Sequence, residues 1–146
     1  MPKQRFQIVP SVYVMLMKDG QIILARRYNT GYCDGEYSFP AGHLEGNETS
    51  TAALLREVKE EIGVELDPEN IEFVHLMHRK GPDDERYDVF FACEKWEGEP
   101  KIMEPNKCDE LAWFDLDKLP QNTIPYIAQA TNSYRAKIFY SEHGWN

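Results

Sequence analysis

The 146-residue sequence predicts an α+β fold, in which a mixed β-sheet is sandwiched between α-helices. Several short segments alternate apolar and other residues, as half-buried strands do. Two longer segments contain neither Gly nor Pro and place apolar residues at helical spacing. The two kinds of segment do not follow a regular βαβ order, which favours a mixed sheet covered by helices. Because no repeat, low-complexity segment or linker interrupts the chain, we expect one domain over residues 1–146.

The beginning of the chain predicts a β-hairpin followed by a short strand. Val12 to Leu16 form the first strand, and Asp19-Gly20 is typical of a tight hairpin turn. Gln21 to Arg27 return as the second strand. Residues 28–35 are rich in Asn, Gly and Asp and predict a loop, and Tyr37 to Phe39 predict a short strand that the following proline ends.

A helix opens the second part of the chain, and three strands and a second helix follow it. The predicted elements are a helix over Thr49 to Ile62 with Gly63 as its C-terminal cap, strands at Ile71 to His78, Tyr87 to Cys93 and Leu111 to Phe114, and a helix from Tyr126 to Tyr140. The last helix is predicted because Tyr126, Ala130, Tyr134 and Ile138 would form one apolar stripe.

Composition and charge narrow the class of protein. The net charge of -9 argues against a long nucleic acid as partner, because phosphate backbones require basic surfaces. The three cysteines lack CxxC spacing, which favours unpaired thiols in a reducing compartment. No leader of basic and then apolar residues opens the sequence, and its longest apolar run, Val12 to Met17, is too short to cross a bilayer. We therefore expect a soluble cytoplasmic protein without a membrane partner.

The first helix predicts two stripes of opposite character. Leu54, Leu55, Val58 and Ile62 fall on a core-facing stripe, and Glu57, Glu60 and Glu61 fall on a separate stripe of carboxylates. Like charges three or four residues apart repel each other on a helix. Lys59 points away from the carboxylates, so we expect no side-chain cation beside them. A divalent cation that prefers oxygen ligands is the simplest way to offset the repulsion. The alternative is a solvated acidic face paired with Arg or Lys from elsewhere.

A longer pattern contains these carboxylates. Gly42 is followed after five residues by Glu48, and after seven more by the segment Arg56 to Val64. This resembles the Nudix box, G-x5-E-x7-R-E-U-x-E-E-x-G-U with U apolar, at every specified position. A chance match in one window has a probability on the order of one in a billion. The preceding hairpin and the Trp113-Phe114 strand also resemble this family, so the likeness covers most of the chain.

The resemblance implies a Nudix fold and a hydrolase that depends on Mg²⁺, with Mn²⁺ as a substitute. Glu57, Glu60 and Glu61 match the metal-binding carboxylates of the family, and Glu57 and Glu61 are the foremost pair because they lie one turn apart. The backbone carbonyl of Ala41 matches a further metal ligand. Glu104 is the best-placed match to an acidic residue that in many relatives binds metal or accepts a proton.

Supporting roles follow from the same match. Glu48 and Arg56 resemble a pair in which the planar guanidinium orients the catalytic carboxylates. Gly42 and Gly63 match turn glycines, for which we expect close packing or a positive φ.

The expected substrate is a nucleoside triphosphate, cleaved to a nucleoside monophosphate and pyrophosphate. The Glu-Pro-x-Lys-Cys pattern at 104–108 with Trp113 resembles the branch of MutT-like triphosphate diphosphatases, some of which sanitise the nucleotide pool. Arg27, with Arg26 beside it, corresponds to an arginine that binds substrate phosphate, and His43 is a further phosphate candidate. The base would be selected by residues on loops near the pocket, with candidates Asn122, Thr123, Tyr126, Tyr32 and Phe39.

Other functions remain open at this point. The same fold and box serve other phosphoanhydrides, so ADP-ribose, another nucleotide sugar or a dinucleoside polyphosphate is an alternative substrate. A different class is a nucleotide-binding Nudix regulator without activity, although such proteins commonly lack one of the carboxylates. The quaternary state is expected to be a monomer or a homodimer.

Overall fold

The computed structural model describes residues 3–146; residues 1 and 2, which the predicted single domain includes, lie outside the described part. The elements are β1 (Val9–Lys18), β2 (Gln21–Arg27), β3 (Tyr37–Ser38), β4 (Ala41–His43), α1 (Ser50–Ile62), β5 (Ile71–Lys80), β6 (Glu85–Cys93), β7 (Cys108–Asp115), α2 (Pro125–Arg135) and β8 (Tyr140–His143). A 3₁₀ turn at Pro68–Asn70 leads into β5.

The strands form a mixed sheet in the order β3-β2-β1-β6-β5-β8, with β4 paired to β1 and β7 paired to β2. β1 runs parallel to β6, and β5 runs parallel to β8. β5 and β6 form an antiparallel pair. Two clusters of buried residues pack against this sheet, one containing the apolar side of α1 and the other that of α2. The predicted α+β fold, a mixed sheet between helices, is confirmed.

The predicted hairpin is present and closes through Asp19 and Gly20, both of which adopt a positive φ. Such a turn matches the right-handed twist of the strands that it joins. β4 is a strand that the sequence did not predict. It pairs with β1 so that Val12 lies opposite Gly42 and Tyr13 lies opposite Ala41. This pairing brings the backbone of residues 41 and 42 beside α1.

The helix α1 begins one residue later than predicted and ends at Ile62 as predicted. The Thr49 hydroxyl accepts a hydrogen bond from the Ala52 N–H at 3.0 Å and caps the N-terminus. Gly63 has a φ of 70° and its N–H donates to the carbonyl of Lys59, which closes the C-terminus. The core-facing stripe is also confirmed, since Leu54, Val58 and Ile62 are fully buried and Leu55 is partly buried.

The predicted extent of the last helix is wrong, because α2 ends at Arg135. Lys137 then adopts a φ of 58°, which reverses the chain, and Tyr140 to His143 form a strand parallel to β5. Ile138, predicted on the buried helical stripe, is 49% exposed. The helical spacing of apolar residues continues past Arg135, but pairing with the edge of β5 overrides it. Neither helix in residues 3–146 combines the length and apolarity needed to span a bilayer.

Candidate functional site

The three carboxylates of α1 differ in their surroundings. Glu60 is the most open, with 56% of its side chain exposed, whereas the side chain of Glu57 is only 16% exposed. Glu61 lines a cavity beside α1. The stripe predicted from the sequence therefore crosses from solvent into the protein, with Glu57 and Glu61 on its inner side.

Arg56 lies beside these carboxylates and holds several acidic groups. Its Nη1 donates to Glu57 Oε1 at 2.6 Å, and its Nη2 donates to Glu48 Oε1 at 2.8 Å. Nη1 also lies 3.6 Å from Glu60 Oε2. The expectation that no side-chain cation lies beside the carboxylate stripe is wrong, because an arginine can fold its fork over the neighbouring residue. The prediction that Lys59 points away from the carboxylate stripe is confirmed, since Lys59 pairs with Glu65 at 3.0 Å.

Gly42 allows Glu57 to reach its place. A Cβ atom at position 42 would coincide with the Glu57 side chain, so no larger residue fits without displacing that carboxylate. Gly42 is not among the described residues with a positive φ, so close packing, rather than backbone freedom, requires a glycine here. Next to it, the Ala41 N–H donates to Glu61 Oε2 over a long 3.4 Å. Strand β4 is thus in direct contact with both inner carboxylates.

A cavity of about 130 Å³ lies between α1, β2 and the segment before β7. Two backbone hydrogen bonds hold that segment against the end of α1, from the Lys101 N–H to the Ile62 carbonyl and from the Met103 N–H to the Glu61 carbonyl. They bring Glu104 into the same cavity as Glu61. The full lining is Ala25, Arg26, Arg27, Thr30, Ser38, Phe39, Ala41, Glu61, Ile62, Glu104, Lys107 and Cys108.

The surroundings of the inner carboxylates disfavour their charged forms. Burial raises the pKa of Glu61 to about 8, and the nearby charges of Glu57 and Glu104 add to the rise, while the Ala41 N–H and Arg27 oppose it. Burial also raises the pKa of Glu57, and its bond from Arg56 acts in the opposite direction. Carboxylates whose charged forms are disfavoured in this way gain from an added cation.

The donor chemistry of this site fits a hard divalent cation. Glu57, Glu60, Glu61 and Glu104, with the backbone carbonyl of Ala41, could supply oxygen ligands, and Mg²⁺ needs few protein ligands because it retains several waters. Within residues 3–146, no three side chains of Asp, Glu, His or Cys are already gathered closely enough to hold a metal ion. Arg56 partly neutralises Glu57, and an ion at this site would share that carboxylate with the arginine.

Of the predicted substrate residues, the structure brings Arg27 and Arg26 to the cavity, and Phe39 also lines it. Arg26 is engaged elsewhere as well, since its Nε donates to Asp109 at 2.7 Å. The predicted phosphate candidate His43 lies outside the lining, with its Nε2 3.2 Å from Arg86 Nη1.

The predicted base-selecting residues do not line this cavity, apart from Phe39. The Asn122 side chain donates to the Gly35 carbonyl at 2.8 Å and thereby fastens the 28–35 loop. Thr123 is buried and donates to the Pro120 carbonyl. Tyr126 belongs to the core, where its hydroxyl lies 3.3 Å from that of Tyr13. Tyr32 is 39% exposed and contacts Arg27.

A buried ion pair beside this loop was not predicted from the sequence. Arg79 is 3% exposed, Asp88 is fully buried, and Arg79 Nε donates to Asp88 Oδ2 at 2.6 Å. The guanidinium also lies 3.8 Å from the centroid of the Tyr126 ring. A signal for it was present, because Asp88 interrupts the apolar strand at a position that shares a face with Phe90, and a carboxylate there requires a partner.

Sequence comparisons agree with this geometry. The profile of the family described as "NUDIX domain" matches residues 7–134. The 8-oxo-dGTP diphosphatase of Escherichia coli strain K12 is 28% identical over 121 residues, which are 82% of this chain and 92% of that protein. The NAD-capped RNA hydrolase NudC of Pseudomonas putida strain GB-1 is 32% identical over 114 residues, 78% of this chain, but these span only 39% of its own length.

Solved structures share the fold. A MutT NUDIX hydrolase from Burkholderia pseudomallei superimposes with a TM-score of 0.81 at 24% identity, over 86% of this chain and 97% of that one. The E. coli ORF135 protein superimposes with a TM-score of 0.71 at 24% identity, over 90% of this chain and 93% of that one. At these identities the likeness concerns the arrangement of the chain and not its substrate.

Proposed function

The chain belongs to the Nudix family, whose hydrolases act on pyrophosphate bonds, and from this premise we propose that it cleaves a nucleoside triphosphate to a nucleoside monophosphate and pyrophosphate. The observation that carries the proposal is the cavity in which Glu61 and Glu104 face Arg27. One side of it offers oxygen ligands for a cation, and the other offers a guanidinium that suits phosphate.

The size of the cavity supports a role in holding the phosphates. Its volume of about 130 Å³ is well below the roughly 300 Å³ at which pockets for whole small molecules begin. A cavity of this size suits a chain of phosphates, and the nucleoside would extend beyond it. The match to the 8-oxo-dGTP diphosphatase of E. coli covers 92% of that protein's length. This likeness favours a triphosphate over a dinucleotide as the substrate.

We propose Glu57, Glu60, Glu61 and the Ala41 carbonyl as the groups that hold Mg²⁺ or Mn²⁺. When bound, such an ion supplies positive charge for the phosphate oxygens and lowers the pKa of water. Arg56 keeps Glu57 in place beside Gly42 through their 2.6 Å bond, and Glu48 in turn fixes Arg56.

Two further residues of the cavity, Arg27 and Glu104, have roles in binding the substrate and in accepting the proton of the attacking water. Arg27 attracts the phosphates and anchors the substrate in the cavity through its guanidinium. Glu104 lies next to Glu61 without a bond from Arg56, and its nearest cation is Lys107 at 3.7 Å. We therefore propose Glu104, or one of the α1 carboxylates, as the acceptor of the proton from the attacking water.

A substrate panel with product identification tests the proposal. Nucleoside triphosphates with ordinary and oxidised bases, ADP-ribose, NAD and a dinucleoside polyphosphate are incubated with Mg²⁺, and the products are separated by ion-exchange chromatography. We expect the triphosphates to have the highest kcat/KM and to give pyrophosphate. Dominant turnover of ADP-ribose, NAD or the dinucleotide would reject the triphosphate preference. Tight nucleotide binding without release of any product would instead indicate the inactive regulator.

Titration calorimetry tests the metal site separately. Mg²⁺ or Mn²⁺ is titrated into the wild type and into Glu61→Gln, with and without a non-hydrolysable triphosphate. We expect binding by the wild type that is stronger with nucleotide present and weakened in the variant. The matched control is Glu65→Gln, because Glu65 lies outside the cavity and pairs with Lys59. An absence of metal binding under both conditions would contradict the site.

A further inference from the structure

The cavity arginine and the buried ion pair are connected through a single residue of the 28–35 loop. The hydroxyl of Tyr32 accepts a hydrogen bond from Arg79 Nη1 at 3.3 Å. The carbonyl of the same residue accepts one from Arg27 Nε at 2.7 Å. The Arg27 guanidinium also lies 5.4 Å from the centroid of the Tyr32 ring. Tyr32 therefore touches the buried pair with the end of its side chain and Arg27 with its ring and backbone.

The buried ion pair that the Tyr32 hydroxyl contacts is held firmly by its neighbours. Arg79 is buried and bonded to Asp88, and the Tyr13 hydroxyl donates to the same carboxylate at 3.2 Å. These groups lie on β1, β5 and β6, in the middle of the sheet. A loop residue that is bonded to such a pair is restrained at the end of its side chain.

The 28–35 loop also holds Arg27 at a second point. Arg27 Nη2 donates to Thr30 Oγ1 at 3.0 Å. Asp34 fixes Thr30 in turn, by accepting from its N–H at 2.9 Å and from its hydroxyl at 2.6 Å. A guanidinium has five N–H donors, and these two bonds use two of them. Three donors are left for a ligand in the cavity.

We infer that Tyr32 is a positioning residue, which holds the Arg27 guanidinium toward the cavity before the substrate arrives. The inference rests on the proposed function in one respect, that Arg27 contacts the substrate phosphates. An unrestrained arginine loses many side-chain conformations when it binds phosphate, and a restrained one has already lost them. Tyr32 thus lowers KM, whereas the groups that carry out the cleavage, and with them kcat, are left unchanged.

Two substitutions separate the contacts of Tyr32. Tyr32→Phe removes the bond to Arg79 and keeps the ring beside Arg27, so we expect KM to rise roughly threefold. Tyr32→Ala removes the ring as well, and we expect a rise of roughly tenfold. In both variants kcat should stay within about twofold of the wild type. Tyr28→Ala is the matched control, since Tyr28 belongs to the same loop and is 49% exposed, and it should leave KM unchanged.

A double-mutant cycle distinguishes positioning from a general effect on the loop. Arg27→Met should itself raise KM, and adding Tyr32→Ala in that background should raise KM no further. An equal rise with and without Arg27 would overturn the inference and leave the proposed function standing. An unchanged KM in Tyr32→Ala alone would do the same. If Arg27→Met leaves KM unchanged, both the phosphate contact and the inference are wrong.

A measurement without substrate tests the positioning role of Tyr32 separately from the proposed function, even if no nucleotide is hydrolysed. The ¹⁵N relaxation of the Arg27 Nε–H group reports how tightly the guanidinium is held. We expect an ordered Nε–H in the wild type and in Tyr28→Ala, and a mobile one in Tyr32→Ala. Equal mobility in all three proteins would overturn the inference, whatever the enzyme hydrolyses. Thermal unfolding of each variant verifies that the fold is retained.

Discussion

Removing the buried Asp88 carboxylate should destabilise the protein more than removing a partly exposed carboxylate. The side chain is fully buried and accepts three hydrogen bonds, from Arg79 Nε at 2.6 Å, from Arg79 Nη2 at 3.4 Å and from the Tyr13 hydroxyl at 3.2 Å. In Asp88→Ala the Arg79 guanidinium would remain buried without its counter-ion. Breaking one side of a buried ion pair costs about 3–5 kcal/mol.

The magnitude can be measured by urea unfolding followed by tryptophan fluorescence. A loss of about 4 kcal/mol corresponds to a fall in Tm of roughly 10–15 °C for a chain of this length. Asp88→Asn keeps the shape and one acceptor oxygen, so we expect an intermediate loss. Asp84→Asn is the control, because Asp84 pairs with Arg86 at 3.2 Å in a partly exposed position. Such a pair contributes about 1 kcal/mol or less.

The reasoning would be refuted if Asp88→Ala and Asp84→Asn lost similar amounts of stability. That result would mean that Arg79 reaches water or a new partner once Asp88 is gone, and that the pair does not anchor this part of the sheet.

Three further predictions concern the candidate site. Glu57→Gln and Glu61→Gln should each lower kcat by about a hundredfold or more with Tm almost unchanged, because their charge serves a bound cation and not the fold; normal turnover in both would defeat the metal-site assignment. Gly42→Ala should lower kcat by about tenfold or more, since the new Cβ displaces the Glu57 side chain, and the crystal structure of the variant should show that displacement; an unmoved Glu57 would contradict it. Glu104→Gln should lower kcat substantially under saturating Mg²⁺. A loss of less than about threefold would show that Glu104 is not required as the proton acceptor.

Much of the site was predictable because the carboxylates share one helix. Spacing along a helix fixes which side chains lie on the same face, so Glu57, Glu60 and Glu61 could be grouped without coordinates. Their separation from the buried stripe of Leu54 and Val58 followed from the same geometry. The roles of these residues stay a proposal, which the substitutions above test.

The errors came from contacts between segments that are distant in sequence. The last helix stops at Arg135 because an edge of β5 is available for Tyr140 to His143, and helical periodicity contains no information about that edge. Similarly, the spacing of α1 placed Lys59 correctly but did not by itself show that Arg56 folds back onto Glu57, although the family resemblance implied that Arg56 orients the carboxylates. The end of α2 and the position of the Arg56 side chain both depend on which groups lie near them in the folded protein.

By itself the sequence determined the α+β class, the first hairpin, the helix α1 with its C-terminal cap and the line of acids along it. Each of these depends on interactions within a few residues, namely turn conformation, capping and helical spacing. The resemblance proposed Ala41 and Glu104 for the same site as the acids of α1. Only the tertiary structure decided how β4 packs against those acids, that Glu104 lines one cavity with Glu61, and that Tyr32 links Arg27 to Arg79. These contacts join segments up to dozens of residues apart, and they form only when the sheet has brought those segments together.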